Sequence, residues 1–104
     1  MSWELSTHEF DLVFATLHPD HEIIAVRREG NRVTVRTCSR DLEHTNAQAG
    51  SDYNTLSAAI YETVLVDERV TTRCLFSYST MYTDYETHDD DAWVRDLAAP
   101  YRTF

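Results

Sequence analysis

The chain contains no lysine. All nine of its basic side chains are arginines, set against eighteen aspartates and glutamates, for a formal net charge of −9. That balance argues against a general nucleic-acid binder, because counterion release requires a locally positive protein, and direct contact with nucleic acid is not expected. The missing lysine fits a GC-rich coding sequence, or a cytoplasm so salty that proteins carry carboxylate surfaces for solubility. No run approaches the roughly 18 apolar residues of a membrane span. The opening MSWELSTHEF has neither a basic start nor an apolar signal core. The expectation is a cytoplasmic protein with no membrane association, in the host cytoplasm if its source is viral.

Cysteine is also scarce. Cys38 and Cys74 have neither the CxxC spacing of a zinc or redox motif nor the density of a disulfide scaffold. Both are expected to be buried free thiols, close enough to oxidise only if their strands are neighbours. The chain lacks a glycine-rich phosphate loop, internal repeats and low-complexity linkers, and no catalytic signature or cofactor motif is visible. What is present is one domain's worth of chain: 104 residues, 42% hydrophobic, with twelve aromatics. That is enough apolar surface to offset chain entropy in a single compact acidic domain over residues 1–104.

Leu5-Ser6-Thr7-His8-Glu9-Phe10 is a helix start. Ser6 and Glu9 have the spacing of a capping box, and Leu5 with Phe10 that of a hydrophobic staple. Phe10, Val13, Phe14 and Leu17 continue the apolar stripe, and His18-Pro19 closes it. Residues 22–28 read as a strand, 29–31 as a turn and 32–38 as its hairpin partner, with Val33 and Val35 alternating against polar neighbours. Residues 39–52 are polar and aperiodic and read as a loop. A second helix is predicted after a Ser51 or Asp52 cap, with Tyr53, Leu56, Ala59, Ile60, Thr63 and Val64 on one face. From Val70 to Tyr82 alternation resumes, long enough for a strand to need a bulge or bend. The expected fold is α+β: a three- to four-stranded, mainly antiparallel sheet with two helices packed on one face and a short C-terminal helix.

The densest charge is TDYETHDDDAW at 83–93. An EF-hand starting at Asp84 would need glycine at its sixth position and glutamate at its twelfth, where the chain has Asp89 and Arg95. A looser cation site could draw on Asp84, Glu86, His88 and a later aspartate, but such spacing is common in solvated loops, and no metal is expected. As a helix start the stretch makes sense: Asp89 or Asp90 caps, Trp93, Val94 and Leu97 face inward, and Pro100 closes the element. That accounts for only some of the acids. The remainder suit a docking face, with Asp84, Glu86, Asp89, Asp90 and Asp91 steering toward a basic protein surface and Tyr82, Tyr85 and Trp93 supplying contact area.

Two weaker constellations remain. Arg28, Arg32 and Arg36 could hold phosphate, although a solvated edge or pairing with the chain's own acids is the preferred explanation. His18, Asp20 and His21, with His8 nearby, could share a metal, but no further ligand is fixed by spacing. The expected function is therefore a small non-enzymatic protein-binding module, of the kind a virus or mobile element encodes to inhibit a nucleic-acid-handling defence complex (anti-CRISPR or anti-restriction). The alternatives are a structural or assembly protein of halophilic origin, whose acidity is salt adaptation, and a small metal- or thiol-dependent enzyme.

Overall fold

A computed structural model describes residues 5–15, 17, 20–46, 52–83 and 86–104. Helix α1 (Thr7–Phe14) leads into β1 (Glu22–Glu29), β2 (Arg32–Asn46), β3 (Asp52–Val66) and β4 (Arg69–Thr83), and α2 (Asp90–Ala98) runs into a 3-10 turn at Ala99–Tyr101. The strands form one antiparallel sheet in sequential order, β1-β2-β3-β4. At roughly 3.4 Å per residue, a 15-residue strand reaches about 50 Å. The body is accordingly long, 56 × 23 × 21 Å.

Local signals set the ends of these elements. Ser6 Oγ accepts from the Glu9 amide at 3.1 Å and Glu9 Oε1 accepts from the Ser6 amide at 2.9 Å, so the capping box forms as expected. The rest of the predicted stripe is altered. Val13, Phe14 and Leu17 pack inward with Leu5 and Leu12, while Phe10 is 47% exposed and lies tilted against Phe14. The helix stops at an Ala15 cap, and His18 and Pro19 lie outside the described residues. Gly30 turns the β1–β2 hairpin with φ +60°, a conformation that costs glycine nothing.

The predicted second helix is strand β3, and most of the predicted loop at 39–52 is the paired ends of β2 and β3. The reason lies in how the helices sit. In the β2–β3 register, Val33 and Val35 face the same side as Thr63 and Leu65, whereas Cys38 faces the same side as Leu56, Ala58 and Ile60. The first set packs with Val13 of α1, the second with Val94 and Ala98 of α2. The two helices therefore cover opposite faces of the sheet at opposite ends; of the two expected to share one face only α1 forms, the other being β3, and α2 is the expected C-terminal helix. Along β3 the buried positions are 56, 58, 60 and 62 on α2's side, then 63 and 65 on α1's; leaving out the carboxylate Glu62, the buried apolar and threonine positions run 56, 58, 60, 63, 65. Crossing from one face to the other inserts a single three-residue step that imitates helical spacing.

Two bulges complete the core under α2. The β1–β2 register skips Ile24 and the β3–β4 register skips Leu75. Both extra residues turn toward α2's side of the sheet, Ile24 at 1% exposure and Leu75 half-buried against the same cluster. The Leu75 bulge also splits the alternation read along β4: Val70, Thr72 and Cys74 share α1's face, and Phe76, Tyr78, Thr80 and Tyr82 share α2's.

Candidate docking face

The N-terminus of α2 is fixed by carboxylates with different tasks. Asp89 is the N-cap, its Oδ1 accepting from the Ala92 amide at 3.0 Å. Asp90 turns inward: the Tyr82 hydroxyl donates to its two oxygens at 3.0 and 3.1 Å, and His88 Nδ1 lies 2.7 Å away. The His88 and Tyr82 rings stack in parallel with centroids 4.3 Å apart. This cluster ties the first turn of α2 to β4. Asp91 reaches Arg40 on β2 at 2.7 Å, but its side chain stays 85% exposed, where such a pair contributes about 0–1 kcal/mol.

The predicted docking residues thus divide by role. Glu86, Asp89 and Asp91 are exposed. Asp90 and Tyr82 are structural ties, and Trp93 is half-buried against the core and Tyr78. Asp84 and Tyr85 lie outside the described residues. Three acids that the sequence reading placed in a loop or helix join the exposed set: Asp41, Glu43 and Asp52 project from the paired ends of β2 and β3 at α2's end of the body. Their signal was hidden by the missed strand. Among the described residues none of these three meets an arginine, and Asp96 reaches Arg95 only at 3.9 Å.

Arg40, Arg95 and Arg102 lie around α2, and the other six arginines lie toward the other end. Arg28 lies on α1's face, donating to Glu9 at 2.7 Å, while Arg32 and Arg36 lie on the opposite face, so the three do not converge on one phosphate. The Arg28 hydrogen bond and the Ser6 amide pull the Glu9 carboxyl down to about 2. Arg36 is consumed internally. Its Nε donates to Glu62 at 3.2 Å, its Nη1 donates to the Tyr101 and Thr103 carbonyls at 3.3 and 3.0 Å, and its guanidinium lies 4.2 Å from the centre of the Phe104 ring. Arg73 donates to the other Glu62 oxygen at 3.0 Å. Burial pushes the Glu62 carboxyl up, but hydrogen bonds and charge from Arg73 and Arg36 outweigh it and hold it below the usual carboxylate range. Sequence reading missed Glu62, which falls within the span of the predicted second helix.

The histidines do not assemble. His8 pairs with Glu68 at 3.0 Å, His21 stacks on Tyr61, and His18 is outside the described residues. Among the described residues no three of His, Cys, Asp and Glu group in a way that could hold a metal ion. The cysteines sit on opposite faces with β3 between them, Cys38 opposite Ile60 and Cys74 opposite Tyr61, which rules out a bond between them in this fold. Cys38 is buried as expected, but Cys74 is exposed because β4 is an edge strand. Burial and the Glu22 charge raise the Cys38 pKa. A maleimide added to the native protein is therefore expected to label Cys74 in the first phase and Cys38 only on unfolding. Peptide mapping of the labelled protein checks this, and fast labelling of Cys38 would contradict the packing.

Comparison with protein-family models, curated proteins and solved structures finds no match to this chain.

Proposed function

We propose that the protein is a non-enzymatic binding module whose acidic end docks on a basic surface of a partner protein. The supporting observation is charge segregation along a 56 Å body. At one end, Glu9, Glu29 and Glu62 engage Arg28, Arg27, Arg36 and Arg73. At the other, Asp41, Glu43, Asp52, Glu86, Asp89, Asp91 and Asp96 are exposed; of these Asp91 meets Arg40 and Asp96 approaches Arg95, and the rest meet no arginine among the described residues. Carboxylates left in water at one pole steer a basic partner toward that pole. A nucleic-acid channel lined with arginine and lysine is the class of surface this pole fits, as it would in a virus- or mobile-element-encoded inhibitor of a defence nuclease.

The test is affinity capture with the wild type beside a variant carrying Glu86→Gln, Asp41→Asn, Glu43→Gln and Asp96→Asn, which leaves the Asp89 cap and the Asp90 cluster intact. Circular dichroism should show both folded. The wild type is expected to retain a basic nucleic-acid-handling protein that the variant loses. Equal capture by both would remove the acidic pole from the function.

A further inference from the structure

We infer that β4 is a self-association edge: two copies pair antiparallel along it, about a two-fold axis perpendicular to the sheet, to form a continuous eight-stranded sheet. The inference goes beyond the docking reading and rests on the β4 edge, with Trp93 and Asp96 at its margin shared with the docking residues. The two outer strands of the sheet differ sharply. Both are bulged, at Ile24 and Leu75, but β1 is short and carries Glu22, Arg27, Arg28 and Glu29, devices that block edge-to-edge pairing. β4 runs for 15 residues, and Cys74 to Thr83 is ten consecutive residues without a charge, in a chain that is 26% charged. Its outer row of backbone N–H and C=O groups has no strand beside it among the described residues.

Side chains on this edge point to the same use. Of the six large apolar side chains that are exposed among the described residues, three belong to β4: Phe76 at 40%, Tyr78 at 57% and Met81 at 67%. Phe76 and Tyr78 line an apolar groove of about 390 Å³ against Trp93, Asp96 and Leu97 of α2. A perpendicular two-fold keeps α2's face on one side of the joined sheet, so the grooves of the two copies meet beside the axis. Centred on Ser77, the pairing opposes Phe76 of each copy to Tyr78 of the other, a favourable aromatic cross-strand pair.

Charge selects a second copy as the occupant. Two chains of −9 repel, but along β4 the run Cys74 to Thr83 brings uncharged residues together, with Asp96 the one carboxylate lining the groove. The antiparallel arrangement sets the Arg69 and Arg73 half of one β4 beside the acidic α2 end of the other. The acidic poles stay at opposite ends of the assembly, free for docking.

Sedimentation equilibrium across a concentration series tests this, with the wild type beside Ser77→Lys/Met81→Lys. Both positions are exposed on the face opposite α2, so the substitutions leave the folded monomer intact, which a thermal melt verifies. The wild type is expected at twice the 12.1 kDa chain mass and the variant at the chain mass. A monomeric wild type, or a variant that melts like the wild type and remains dimeric, overturns the inference.

Discussion

Leu56→Ala is expected to lower the free energy of unfolding by about 3 kcal/mol, within the range for emptying a fully buried leucine site. Leu56 is 0% exposed in the cluster that joins Ile24, Cys38, Ala58 and Ile60 of the sheet to Val94 and Ala98 of α2. That cluster, with the Tyr82–Asp90–His88 ties, is what seats the acidic pole on the sheet. Loss of the leucine should loosen α2 before it loosens α1, whose cluster of Val13, Val33, Val35 and Leu65 is built on the other face. Chemical denaturation measures the first effect and hydrogen exchange by peptide the second. Uniform loss of protection across both helices would mean that the two clusters are one.

The second large effect belongs to Glu62. Its side chain is only 10% exposed and accepts from two guanidinium groups, so Glu62→Gln leaves Arg36 partly buried without its counter-charge. Removing one member of a fully buried ion pair costs about 3–5 kcal/mol, and with Arg73 70% exposed the cost here should be nearer 2. The sign of the pH dependence follows from linkage. A carboxyl whose pKa is lower in the folded than in the unfolded state contributes stability above its ordinary pKa, and that contribution is lost as pH falls through the depressed value. The gap in unfolding free energy between wild type and Glu62→Gln should therefore be full at neutral pH and close as the solution is acidified below pH ~4. A gap that stayed constant across that range would show that Glu62 contributes through packing, not charge.

The terminal elements were legible because their signals are local. Ser6 and Glu9 form their capping box, Asp89 caps α2, and Val94 packs inward with Trp93 and Leu97 beside it, all within one or two turns of chain. The β1–β2 turn was readable for the same reason, through Gly30. The second half of the sheet was not, because burial in β3 depends on which helix lies above each half of the strand, and neither helix is near it in sequence. The pattern Leu56, Ile60, Thr63 obeys a helical period only through the crossing from α2's face to α1's. The site shows the same division. Exposed Glu86 and capping Asp89 follow from local rules, whereas the inward turn of Asp90 toward Tyr82, the burial of Glu62 between Arg36 and Arg73, and the gathering of Asp41, Glu43 and Asp52 at one pole all depend on strand pairing.

The response to salt separates docking from adaptation to a salty solvent, since an acidic surface that serves hydration needs salt to fold and one that serves recognition loses its partner to salt. The most direct measurement is a salt titration of a captured complex, with the ellipticity of the free protein followed over the same range. The account predicts a full fold in dilute buffer and a complex that dissociates steadily as salt rises. A protein that unfolds in dilute buffer and regains its sheet only at molar salt would contradict it and assign the acidic pole to the solvent.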